Sequence, residues 1–292
     1  MHVPVMTAEV LQHLCPERGG VFVDCTVGLG GHTRALLEAG ATRVIGLDRD
    51  LDALARARET LAPWVDRVEL VHADYRSLDT VLDSRRLAQV DGALADLGVS
   101  SLQFDAPGRG FSFQRDEPLD MRMDRSGDET AADLVARSSE RDLADAIFHY
   151  GEERFSRRIA RAIVEARRDA PVDTTGRLAS IVRRAIPRRG PMRIDPATRT
   201  FQALRIWVNR ELEGLDAFID AAIRRLRAGA RLVVIAFHSL EDRIVKHTLR
   251  GLEQRGAGIK VLTKRPLVPS DEEIQRNPRA RSAKLRAAER LA

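Results

Sequence analysis

The residues best placed to do chemistry are acids that close short apolar runs: Asp24 after Val21-Phe22-Val23, Asp48 after Val44-Ile45-Gly46-Leu47, and Asp96 after Ala93-Leu94-Ala95. A glycine turn, Gly28-Leu29-Gly30-Gly31-His32-Thr33, follows the first of them. Glycines there let the backbone take positive φ and let a ligand approach with no Cβ in the way. Thr33 and Arg34 then open an apolar-periodic run, so strand, glycine elbow and helix N-terminus form a nucleotide cradle. A dinucleotide fingerprint wants glycines at its first, third and sixth positions; Gly28 and Gly30 fit, but Thr33 stands at the sixth. Asp24 would repel a pyrophosphate, yet it suits the α-amino group of S-adenosylmethionine. Asp48 suits the ribose hydroxyls of either cofactor. The spacing favours S-adenosylmethionine and leaves NAD and a purely structural turn open.

Two further clusters close apolar runs. Asp96-Leu97-Gly98-Val99-Ser100-Ser101-Leu102-Gln103 leaves the fourth predicted strand beside the cradle, where an acceptor group must meet an activated methyl. Asp96 is the first candidate for that chemistry, although an Asp capping a serine turn reads equally well in isolation. Phe237-His238-Ser239-Leu240-Glu241-Asp242-Arg243 ends a late strand, and His238 is the second candidate.

These residues need a sheet to hold them. Predicted strands at 21–24, 44–48, 68–72 and 91–96 alternate with helices at 7–14 (Thr7 as N-cap), 51–61 and 78–87, the pattern of a doubly wound α/β sheet that binds ligands at its strand carboxyl ends. The rhythm breaks after the fourth strand. It resumes with a long helix from Phe201 to Leu226, a strand over 231–237, a helix from Leu240 and a last strand near 258–263. The expectation is a discontinuous sheet domain, residues 1–104 and 206–292, interrupted by an all-helical insert over residues 105–205 that roofs the cofactor cleft.

Charge divides that insert. Residues 105–153 carry 6 Arg against 13 Asp and Glu, whereas 154–205 carry 14 Arg against 4. At about 100° per residue, Arg154, Arg157, Arg161 and Arg168 fall within about 60° of one another, opposite Phe155, Ile159 and Ile163. A solvated helix face is the ordinary fate of such a stripe. Here it reads as single-signed, and Arg183, Arg184, Arg188, Arg189 and Arg193 follow it. With a net charge of +5, this points to a polyanion. Arginine over lysine favours bidentate phosphate contact and stacking on bases, as in folded RNA.

The bulk numbers exclude other classes. Cys15 and Cys25 are the only cysteines, too few for a disulfide framework or a zinc knuckle. No His/Cys/acid cluster has ligand spacing, so no metal is expected. The opening Met1-His2-Val3-Pro4 shows no signal pattern and no apolar run is long enough to span a bilayer. A soluble cytoplasmic protein with no membrane partner is expected; a homodimer is left open.

Taken together, Gly30-Gly31-His32-Thr33-Arg34, Asp48-Arg49-Asp50, Asp96-Leu97-Gly98-Val99-Ser100-Ser101, Arg109-Gly110-Phe111-Ser112-Phe113, Tyr150-Gly151-Glu152-Glu153-Arg154, Ala197-Thr198-Arg199-Thr200-Phe201-Gln202, Phe237-His238-Ser239-Leu240-Glu241-Asp242 and Asn277-Pro278-Arg279-Ala280-Arg281 resemble the MraW family of bacterial small-subunit ribosomal RNA cytosine-N4-methyltransferases. The resemblance implies a Rossmann-like class I S-adenosylmethionine-dependent methyltransferase sheet with an inserted helical domain for RNA recognition. It also implies methyl transfer to the exocyclic amine of a cytidine in the decoding region of 16S rRNA, with the small ribosomal subunit as partner. By position it carries cofactor contacts onto Gly30, Gly31, His32, Asp48, Tyr75, Asp96 and Gln103; spacing adds Asp24 and Asp74. Arg199 joins Arg154, Arg157, Arg161 and Arg168 as a candidate RNA contact. One departure stands out from the wider class of amino-methyltransferases: no proline pair follows Asp96. The competing functions are an NAD-linked oxidoreductase and a non-catalytic RNA-binding scaffold.

Overall fold

The computed structural model describes residues 4–127, 129–187 and 194–292. The chain divides into two compact units, one of Met1–Ser100 with Leu212–Ala292 and one of Ser101–Glu211. The second unit starts four residues before the insert boundary read from sequence and ends six after it.

The first unit carries, in chain order, α1 (Thr7–Leu14), β1 (Val21–Asp24), α2 (Gly31–Glu38), β2 (Arg43–Asp48), α3 (Leu51–Leu61), β3 (Val68–His72), α4 (Leu78–Ser84) and β4 (Val90–Asp96). In the second unit follow α5 (Ser101–Asp105), α6 (Ala131–Arg137), α7 (Glu140–Gly151), α8 (Ser156–Asp169), α9 (Thr175–Ala185) and α10 (Thr198–Asn209). The first unit then resumes with α11 (Leu215–Arg225), β5 (Leu226–Ala236), α12 (Ser239–Gln254), β6 (Ile259–Val261), α13 (Asp271–Arg276) and β7 (Lys284–Arg290).

Among the described residues the strands form one sheet in the order β3-β2-β1-β4-β5-β7-β6. The first five are parallel, and β7 enters antiparallel between β5 and β6. Alternate residues of each strand feed opposite cores, as the period of two requires. Val23, Ile45, Leu47, Ala93, Leu232 and Val234 pack with α4, α11 and α12. Phe22, Val44, Leu94, Val233, Ile235 and Leu285 pack with α1, α2 and α3. Burial on both faces explains why these strands read as unbroken apolar runs.

Four local expectations are corrected. Thr7 is not the N-cap of α1: Met6 holds that place with φ 53°, and Thr7 Oγ1 donates to the Pro4 carbonyl at 2.9 Å. The helix expected over 78–87 ends at Ser84, because Arg86 turns the chain with φ 56°. The single helix expected from Phe201 to Leu226 is two, α10 and α11. Arg210 (φ 48°) caps the first and Gly214 (φ 68°) opens the second, both left-handed, which no continuous helix accommodates. Strand β7 has no counterpart in the sequence reading. Its Lys-Leu-Arg-Ala-Ala-Glu-Arg composition favours helix by propensity, but pairing on both edges overrides it: Glu289 lies opposite Arg231 in register and pairs with it at 2.7 Å.

Candidate functional site

The glycine turn is built around Asp24, the last residue of β1. Its carboxylate is fully buried and accepts from Thr33 Oγ1 at 2.7 Å and from the Thr26 N–H at 3.2 Å. These bonds tie the strand end to the first turn of α2. Burial pushes the Asp24 carboxyl up, opposed by His32 and by the bonds from Thr33 and Thr26. Both oxygens are thus engaged within the loop, by Thr26 and Thr33. Gly28 and Gly30 turn the loop with φ 53° and 83°, and a Cβ on Gly30 would meet Leu61 at 3.1 Å. Gly30 caps α2, and Gly31 begins it against Pro4.

Asp48 ends β2. Its oxygens accept from the Gly28 N–H at 2.7 Å and the Asp50 N–H at 2.8 Å, which fixes the loop to the second strand. Burial raises its pKa to about 6, against the two backbone N–H bonds that favour the ionised form. Beyond β3, Asp74 is half-exposed and held by Arg76 through two 2.8 Å bonds, with Arg49 at 3.5 Å. Burial would raise its carboxyl, but the Arg76 contacts outweigh it and hold it below the usual range. Tyr75 stacks on Phe218 with ring centroids 4.8 Å apart, and burial pushes its phenol well above the ordinary value.

Asp96 ends β4. Its backbone N–H donates to Thr26 Oγ1 at 2.6 Å, which hooks the tip of β4 to the loop that follows β1. Its Oδ2 lies 3.4 Å from His32 Nε2, an ion-pair contact not aligned as a hydrogen bond. Asp96 Oδ1 and both ring nitrogens of His32 are buried without a hydrogen-bond partner among the described residues. Burial alone would depress the His32 pKa; Asp96, Asp24 and Glu273 together outweigh it and raise the imidazole above its ordinary value. Sequence spacing named Asp24 and Asp96, and the family resemblance named His32, each separately. That Thr26 and Thr33 lock them together was not legible, because the contacts cross from β1 to β4 and α2.

His238 has a structural employment. It caps α12, its Nδ1 accepting from the Glu241 N–H at 3.4 Å, while Nε2 faces the Glu241 carboxylate at 3.2 Å. Glu241 also accepts from the N–H of Phe237, the residue before the N-cap, at 2.9 Å, which ties the approach to α12 to its first turn. Asp242 is bonded to Arg286 of β7 at 2.6 Å, with Lys284 at 3.5 Å. Gln103 is buried on α5, in the second unit.

In the second unit Arg154, Arg157, Arg161 and Arg168 are all exposed. Arg154 lies over the Phe155 ring at 4.7 Å, and Arg161 reaches Glu140 at 3.6 Å. The stripe is not single-signed: Glu165 is exposed and falls about 20° from Arg154 on the same face. Arg199, on α10, donates to the Glu152 carbonyl at 3.2 Å. Arg158 was missed by the sequence reading, yet it lines a cavity of about 480 Å³ with Ser180, Arg183, Arg184, Ile186 and Pro187. The adjacent Arg157-Arg158 pair was the available signal, since neighbouring residues straddle a helix face. Arg188, Arg189 and Arg193 lie outside the described residues.

A sheet of this order, with a glycine loop after β1 and acids at the ends of β2 and β4, is that of a class I S-adenosylmethionine-dependent methyltransferase. The chain matches the MraW methylase family over residues 1–291 and belongs to it. It is 53% identical to a protein of Sorangium cellulosum and 50% identical to one of Bradyrhizobium diazoefficiens, each covering 99% of this chain and 91% of the relative; both are named ribosomal RNA small subunit methyltransferase H. A solved structure described as a putative rRNA methylase from Clostridium thermocellum is 15% identical over the whole of both chains, with TM-score 0.45. S-adenosylmethionine is the cofactor of the family, and the residues present fit it. Gly28 and Gly30 give the loop its positive-φ turn, a buried carboxylate anchors it, and unpartnered polar atoms of His32 and Asp96 lie at the neighbouring strand and helix ends.

Proposed function

We propose that this protein methylates the exocyclic N4 amine of a cytidine in the decoding region of 16S rRNA, with the assembled small ribosomal subunit as its substrate. The observation that carries the reading is the buried, unpartnered Oδ1 of Asp96 at the end of β4. An amine N–H is the donor such an oxygen lacks, and leaving it unmet costs about 1–3 kcal/mol. The names of the relatives supply the rRNA. The arginine-rich half of the second unit supplies the polyanion-binding face, through Arg154, Arg157, Arg161, Arg168 and Arg199.

When bound, S-adenosylmethionine provides a methyl group on a sulfonium, electrophilic enough for a nitrogen lone pair. The cytosine amine is a poor nucleophile because its lone pair feeds the ring. The protein's task is therefore to hold that amine in line by a hydrogen bond to one N–H. Asp96 does this. His238, already engaged with Glu241 as a helix cap, is the weaker candidate. No strong base is required: once the carbon–sulfur bond breaks and the neutral thioether is left, the methylated nitrogen is cationic and sheds its proton to the Asp96 carboxylate or to water. Gly30 to His32 would surround the methionine portion, Asp48 would accept from the ribose and Tyr75 would flank the adenine.

The test is nucleoside analysis of small-subunit rRNA from cells with and without this protein, complemented with the wild type or with Asp96→Ala. N4-methylcytidine should vanish with the protein and return only with the wild type. Unchanged methylation in its absence refutes the reading.

A further inference from the structure

We propose that His32 is a positioning residue of the transfer site: its imidazolium pairs with Oδ2 of Asp96 and turns Oδ1 to accept an N–H of the acceptor base's amine. The inference rests on the amine-methylation reading above and names a residue that reading leaves as part of the cofactor cradle.

The geometry carries it. His32 is 5% exposed on the first turn of α2, and its Nε2 lies 3.4 Å from Asp96 Oδ2. Both ring nitrogens are buried without a hydrogen-bond partner among the described residues, and Nε2 faces the Asp96 carboxylate. Asp96 of β4, Asp24 of β1 and Glu273 of α13 each favour the charged form of the ring against its burial. Asp24 is anchored by Thr33, the residue next to His32, so the acid and the imidazole are set by one turn of chain. Asp96 in turn has its backbone fixed by Thr26, leaving its carboxylate to be oriented by the side chain beside it. Fixed backbone, one oxygen paired and the other unpartnered is the arrangement of an aimed acceptor.

The sign of the pH dependence follows. The imidazole pKa is raised, so the imidazolium is present below the raised value and is lost as pH rises through it. Transfer should therefore weaken on the alkaline side, as Asp96 loses its partner.

Two measurements test this. In cofactor-free protein labelled with ¹⁵N at histidine, His32 should titrate above the ordinary value of about 6.5, and Asp96→Asn should move its midpoint down. In steady-state assays on small subunits, His32→Gln should lower kcat about tenfold or more while KM for the subunit changes little. The alkaline limb of the wild-type kcat profile should be absent from the variant. A His32 that titrates at or below the ordinary value, or that ignores Asp96→Asn, overturns the inference. So does a folded His32→Gln enzyme that keeps the alkaline limb. The Asp96→Asn titration retains His32 and decides the matter even where His32→Gln fails to fold. A wild type that leaves the subunit unmethylated sinks the parent reading instead. A wild type that methylates beside a neutral His32 sinks only this one.

Discussion

The carboxyl of Asp48 accepts two backbone N–H groups while burial raises its pKa to about 6. One side chain thus closes the loop, and in the function proposed above it also receives the ribose. A hydroxyl donates best to the ionised form, so cofactor binding should drive ionisation and release a proton below pH 6. Above about pH 7 the dissociation constant should be flat; below the pKa it should weaken about tenfold per pH unit. Calorimetry from pH 5 to 8, in buffers of different ionisation enthalpy, measures both the affinity and the proton count. An affinity that does not change over that range removes Asp48 from the ribose. The type and position of Asp48 are plain in the sequence, as an acid closing an apolar run. Its engagement by Gly28 is not, because the loop's path back to β2 is a tertiary matter.

Elements, not single residues, hold the late part of the sheet. Strand β7 contributes Arg286, whose guanidinium meets Asp242 of α12 at 2.6 Å with both side chains mostly buried. Burial would raise the Asp242 carboxyl, but Arg286 and Lys284 outweigh it and hold it below the usual range. Its stabilising contribution is therefore present above about pH 4 and is lost as pH falls through the lowered value. Arg286→Ala leaves a carboxylate buried without its partner and should destabilise the fold by about 3–5 kcal/mol, read as a lower midpoint in urea at pH 7. Loss below about 1 kcal/mol would mean that water replaces the guanidinium. The His-Ser-Leu-Glu-Asp cluster looks catalytic in one dimension because three titratable residues are crowded together. In three dimensions His238 and Glu241 cap a helix and Asp242 ties that helix to β7.

On the scale of the whole molecule, charge separates the tasks. The net charge of +5 is concentrated in residues 154–205, with 14 Arg against 4 acids, while the cofactor candidates other than Gln103 belong to the first unit. Arg157→Glu with Arg161→Glu should weaken RNA binding and reduce its log–log salt slope by about two, leaving S-adenosylmethionine affinity unchanged. Filter binding across a salt series and calorimetry with the cofactor check the two halves. Equal losses of both affinities would assign the stripe to folding. Glu165 on the same face, and Glu140 beside Arg161, moderate the field without cancelling it.

Apolar runs, glycines and strand-end acids determined by themselves the doubly wound sheet, the loop after β1 and the positions of Asp24, Asp48 and Asp96. These signals are local: side-chain period, φ tolerance and the burial of strands on both faces all act over a few residues. Tertiary structure alone decided that β7 is a strand, that the stretch from Phe201 breaks at Arg210, and that His32 meets Asp96. Each of those depends on a partner distant in the chain, a neighbouring edge, a change of unit or a second strand tip, and no local propensity encodes where that partner will be.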